Sequence, residues 1–259
     1  NSFIDNFSLT DLDSFRRFNR AAELHSLALK SDSPENQLLN LWVALETLVP
    51  SKSGRTKAKV NNIIDSIMPF LSLTYLETLT ERLARDFCLW NRPKFYKSIA
   101  SIEGETVRHR LLKLLLLPEN IEHKNQLFAE LQQFYLLRNR AHYFSTILTT
   151  TSKLASLLET HAQRVDWQIR RIYRTRNLIV HAGHTPPYIS ILIKNIHDYL
   201  DIVITVIGRL ASDERKINSI EQAFKYSEIK YKELLDELKA SNEIIAAENI
   251  NQYLLTSRV

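Results

Sequence analysis

Glycine is scarce: 4 of the 259 residues, where average usage would give about 18. They are Gly54, Gly104, Gly183 and Gly208, and the closest pair stands 25 positions apart. A phosphate loop needs glycines within a few residues of one another, so P-loop and dinucleotide-binding readings are excluded. Proline adds only 7. A β-sandwich or barrel turns every 8–12 residues or so and could hardly be built from so few turn formers. The single cysteine, Cys88, excludes an internal disulfide and makes no metal site alone. It fits a reducing, cytoplasmic setting. No apolar run approaches the roughly 18 residues of a membrane span, so no membrane partner is expected. The opening residues, Asn1-Ser-Phe-Ile-Asp5, lack the basic and apolar regions of a signal peptide. They also lack an initiator methionine, and the chain is expected to be a segment of a longer one. GxSxG, HExxH and acidic calcium-loop motifs are absent as well.

What remains is helix-forming sequence with a mild positive balance, 34 basic against 29 acidic residues for a net +5. The charge is uneven. From Asp213 onward nine acids face seven bases, which leaves +7 on the first 212 residues. A basic body suits a polyanionic partner.

Apolar residues recur at helical period along most of the chain. Residues 11–30 put Leu12, Phe15, Phe18, Ala22 and Leu29 on one side, with Ser8 or Thr10 as cap. Pro34 opens a helix over 35–49 that is apolar nearly all round and therefore expected to be central. A basic loop follows, in which Lys52, Arg55, Lys57 and Lys59 have no acid among them. Helices are then predicted at about 57–71, 74–90, 94–102, 106–117, 122–148, 153–182, 187–212, 216–240 and 241–256.

The helix at 153–182 carries the chief site candidates. Its apolar residues step as Leu158, Ala162, Val165, Ile169 and Ile172, then Arg176, then Ile179. Arg176 thus falls where an aliphatic residue is expected. A guanidinium stays charged and needs a carboxylate, a helix end or a phosphate when buried. Five residues on stands His181, and Asn177 adjoins Arg176. In an ideal helix the Arg176 and His181 side chains differ by about 140°. Convergence on one ligand needs arginine reach, fraying before Gly183, or pairing across a two-fold axis. Similar spacings join Arg20 to His25 and Arg174 to His181, so spacing alone discriminates little.

Glu46 has Trp42, Val43 and Val49 as helical neighbours and wants a cationic or hydrogen-bonding partner, Arg176 being one candidate. Arg138 and His142 share a face that reads as solvated. Arg164, Arg170, Arg171 and Arg174 form helix surface suited to phosphate contact. His109, between two arginines, reads as surface. His181 and His184 flank a helix-breaking glycine without an acidic or cysteine ligand nearby, so no metal and no cofactor are expected.

Three stretches in this order resemble the HEPN domains, specifically the Apea-like group. They are Pro34-Glu-Asn-Gln-Leu-Leu-Asn-Leu-Trp42-Val-Ala-Leu-Glu46, the basic loop Ser51–Lys59, and Arg176-Asn-Leu-Ile-Val-His181 near the end of a long helix. The resemblance covers about residues 10–212. It implies an all-α, HEPN-type bundle over 1–212, with inserted helices at about 60–148 and an amphipathic helical extension over 213–259. It also implies a homodimer with two motifs facing each other, and metal-independent RNA cleavage leaving 2′,3′-cyclic phosphates, in a defence or toxin protein. Arg176, His181 and Asn177 would then be catalytic, with Glu46 in support. Lys52, Arg55, Lys57, Arg171 and Arg174 would hold the RNA, transfer RNA being one candidate substrate. A catalytically idle bundle that binds RNA or nucleotide, or that dimerises a larger sensor, is the alternative.

Overall fold

Helical periodicity becomes helix through most of the chain. In this computed structural model residues 9–50, 59–212 and 217–257 are described. The fold is all-α. The helices are α1 (Leu12–Lys30), α2 (Pro34–Leu48), α3 (Lys59–Leu73), α4 (Tyr75–Ser98), α5 (Val107–Leu116), α6 (Ile121–Glu130), α7 (Tyr135–Ile147), α8 (Thr151–Ala182), α9 (Ile189–Ser212) and α10 (Ile220–Ala240). The chain groups into two compact units, one from Asn1–Leu73 and Thr160–Lys232, the other from Thr74–Glu159 and Glu233–Arg258. Most of the stretch expected as an insert, 60–148, falls in the second.

The first unit is built on α2. Leu38, Leu41, Trp42, Ala44, Leu45 and Leu48 are all buried, which leaves α2 covered on most sides, as its apolar surface predicts. Ser33 caps it, accepting from the Asn36 amide at 3.2 Å, and Pro34 takes the first turn, where its missing N–H costs nothing. Around α2 lie Ile63, Ile67 and Phe70 of α3, Val165, Ile169 and Ile172 of α8, and Leu192, Ile196, Leu200 and Val203 of α9.

On α1 the buried face differs from the expected one. Ser14, Ala21, Leu24 and Ala28 turn inward, whereas Leu12, Phe15 and Leu29 are exposed. Two alanines let α1 approach α2 closely, and Ser14 faces inward because its hydroxyl is used twice. It accepts from the Ile220 amide at 3.0 Å and donates to Glu221 at 3.3 Å. The cap is Asp11, which accepts from the Ser14 amide at 2.8 Å, rather than Ser8 or Thr10.

The second unit has its own core, in which Phe87 and Phe95 stack at 5.0 Å. The break expected between the helices at 74–90 and 94–102 is a kink in α4 at Asn91, whose side chain caps the Lys94 amide at 3.1 Å. The single helix expected over 122–148 is two, α6 and α7, parted at 131–134, where Phe134 turns its ring edge to Trp90 at 5.9 Å. The helix expected over 241–256 is irregular until a single π turn at Asn251–Leu255. Its backbone is used elsewhere: Ile245 N–H donates to Thr149 O at 2.9 Å, and Glu243 O accepts from the Thr151 amide at 3.0 Å. His109, expected at the surface, is half-buried, and its neighbour Arg108 is buried, its guanidinium donating to the carbonyls of Leu254 and Leu255 at 3.0 and 2.9 Å.

Candidate functional site

The C-terminal turns of α8 form one wall of a groove of about 460 Å³ in the first unit. Arg170, Tyr173, Arg174, Asn177 and His181 line it, with Val60, Leu178 and Ala182 as its apolar surface. On α8 each of these positions lies three or four residues from another of them, so they form one stripe of the helix. Asn177 and His181, four apart, therefore face the same space.

Arg176 is not on that stripe. The buried slot assigned to it belongs to Thr175, which is 1% exposed and continues Ile169 and Ile172 inward. Arg176 sits half-buried beside it. Its Nη1 donates to Asn177 Oδ1 at 3.1 Å, while its Nε is enclosed without a hydrogen-bond partner among the described residues. Arg176 thus reaches the groove through Asn177 rather than lining it.

The cations around the groove are held differently. Arg170 is committed to Asp166 through Nε at 2.9 Å and Nη2 at 3.0 Å, and that hydrogen bonding raises its pKa further. Arg171 lies outside the groove with its guanidinium 4.1 Å from the centre of the Tyr188 ring. Arg174 lines the groove and has no ion-pair partner among the described residues, so it is the cation there most available to an anion. Lys52, Arg55 and Lys57 lie outside the described residues.

Glu46 is met by partners other than Arg176. Its Oε1 accepts from Trp42 Nε1 at 2.6 Å and pairs with Lys59 Nζ at 3.0 Å. Trp42 in turn lies 5.5 Å, ring to ring, from Tyr173 on the groove wall. Glu46 therefore ties the first residue of α3, where the basic loop ends, to the core beneath the groove.

The end of α8 is fixed by backbone chemistry. Gly183 adopts φ 59°, and its N–H donates to Ile179 O at 3.1 Å, a left-handed cap that glycine adopts without steric cost. Beyond it, Thr185 Oγ1 donates to Glu35 Oε1 at 2.7 Å, and Ser33 Oγ donates to Glu35 Oε2 at 2.7 Å. These hydrogen bonds hold the Glu35 carboxyl below its ordinary range. They also anchor the segment after His181 to the start of α2.

Arg138 and His142 are both exposed on α7, as a solvated face requires. Sequence reasoning passed over a second cluster in the first unit. His25 of α1 meets His197 and Asp201 of α9. The four-residue step from His197 to Asp201 was the visible signal, but His25 lies far away in sequence and only helix packing brings it in. No protein-family model, curated protein or solved structure matches this chain.

Proposed function

We propose that the groove at the end of α8 binds RNA and cleaves it without a metal ion. The carrying observation is that His181, Asn177 and Arg174 line one groove on a single helical stripe, with Arg176 hydrogen-bonded to Asn177. The ribose 2′-hydroxyl attacks the adjacent phosphorus. His181, facing the groove, accepts its proton as general base. Arg174 and Asn177 bind the phosphate oxygens as negative charge builds, and Arg176 orients Asn177. The bond to the 5′-oxygen breaks and that oxygen takes a proton from solvent water, leaving a 2′,3′-cyclic phosphate and a 5′-hydroxyl. Tyr173 offers a ring on the groove wall for base stacking. The resemblance to Apea-like HEPN domains supports the same chemistry, in a homodimer that places two grooves together.

A second reading has its own observation. Arg176 lies off the groove, its Nη1 already spent on Asn177. A groove furnished in this way can bind RNA or nucleotide without cutting it.

The experiment is digestion of RNA by purified protein with excess chelator, scored for cyclic-phosphate ends. General acid–base help is worth about 10²–10⁴-fold, so His181→Ala should abolish detectable cutting with helical content unchanged. Cutting that persists in full in His181→Ala would overturn the site. Cutting that stops with chelator while the fold persists would overturn the metal-free step. RNA retention with no cutting under any condition favours the binding module.

A further inference from the structure

His25, His197 and Asp201 share no residue with the groove. Their ligand atoms all lie within 4.8 Å of one another, and all three residues are half-buried. Asp201 stands between the two imidazoles: Oδ1 is 3.2 Å from His25 Nε2 and Oδ2 is 3.1 Å from His197 Nδ1. The two rings are 4.8 Å apart, centre to centre. Ligand bonds of about 2.0–2.2 Å to a common ion place neighbouring donor atoms roughly 3.0–3.4 Å apart, the separation between Asp201 and each imidazole, while the two imidazole donors lie within 4.8 Å of each other.

A hydrogen-bonded triad accounts less well for the same atoms. His25 Nε2 is enclosed yet makes no hydrogen bond among the described residues, although a carboxylate oxygen stands 3.2 Å away. The approach lacks the alignment a hydrogen bond requires. A cation in the gap needs no such alignment between the two donors, because each points at the ion.

We propose that His25, His197 and Asp201 hold one divalent transition-metal ion, of which Zn²⁺ is the representative, bridging α1 and α9. Two imidazoles and one carboxylate suit a borderline cation; Mg²⁺ and Ca²⁺ select all-oxygen sets. Three protein ligands leave a further position for water. His197 and Asp201 come from one face of α9 and His25 from α1, so the ion links the second helix of the pair to the first. Binding therefore stabilises the folded chain as well as occupying a site.

The test is Zn²⁺ titration of the metal-stripped whole chain by calorimetry and by thermal melting. One ion per chain is expected. The melting temperature should rise by about 5–10 °C at a hundredfold excess over the dissociation constant. His25→Gln and Asp201→Asn, checked for native helical content, should each weaken binding at least tenfold, and His142→Ala should not. Mg²⁺ should give no rise. A wild-type chain with no saturable binding, or binding undiminished in both variants, overturns the site. Should a variant fail to fold, protection of the unaltered chain decides. Zn²⁺ should shield His25 and His197 from acylation by diethyl pyrocarbonate while His142 continues to react, and equal reaction with and without Zn²⁺ overturns the site. None of these readouts involves RNA, so the result is independent of the groove's chemistry.

Discussion

His161, on α8, has burial as the main influence on its titration. Loss of solvent lowers its pKa from 6.5 to about 4, the Leu71 backbone opposes this, and Arg164 adds to the fall. The folded chain therefore resists protonation at pH values where the unfolded chain accepts it. Stability is retained above about pH 6.5 and lost as pH falls towards 4, by up to about 3 kcal/mol from this group. Urea unfolding at a series of pH values should show the loss, and His161→Phe should flatten it. Glu46 is the other residue whose role is now concrete. Glu46→Ala leaves Trp42 Nε1 buried without its acceptor and should cost about 1–3 kcal/mol in urea unfolding. Glu46→Gln keeps an acceptor for Trp42 and loses only the charge opposite Lys59, so its cost should be clearly smaller.

At the scale of elements, the end of α8 depends on one backbone conformation. A Cβ at Gly183 would meet nothing within 4 Å, so space is not the constraint. The constraint is φ 59°, which a side chain disfavours by about 1–2 kcal/mol. Gly183→Ala should lower stability by that amount and speed amide exchange over residues 178–184, whereas Gly183→Asn should be milder because asparagine tolerates the left-handed region. In the second unit the π turn at Asn251–Leu255 hangs on Arg108. Removing a charged donor from two buried carbonyls should cost about 1.5–3 kcal/mol. Arg108→Met should therefore open the C-terminal segment to limited proteolysis before the remainder of the chain is cut.

At the scale of the whole molecule, the proposed dimer is open to a direct test. Leu178, Val180, Tyr188 and Ile191 are exposed apolar residues beside the motif. Exposed apolar groups favour association. Val180→Asp should shift the sedimentation of the chain towards monomer and reduce cutting, with circular dichroism unchanged. A strict monomer for the unaltered chain at high concentration would count against the paired grooves.

Sequence by itself determined the helical class. Four glycines, few prolines and sustained three-and-four spacing leave the backbone little choice but helix. It also determined that α2 is central, because an all-round apolar helix has to be covered. The stop at Gly183 was likewise legible, since it depends on residues close in sequence, and Asn177 and His181 were named, though His181 was paired with Arg176 rather than with Asn177. Tertiary structure decided the rest. The parting of α6 from α7 occurs without glycine or proline and follows from where Phe134 packs. The irregular course after Ala240 arises because its amides and carbonyls pair with residues 149–151, a choice no local propensity encodes. The partner of Glu46, the displacement of Arg176 by Thr175 from the buried stripe, and the meeting of His25 with His197 and Asp201 all depend on which helices come to lie side by side. Hydrophobic periodicity says that a face is buried, but partners far apart in sequence are chosen by shape and packing.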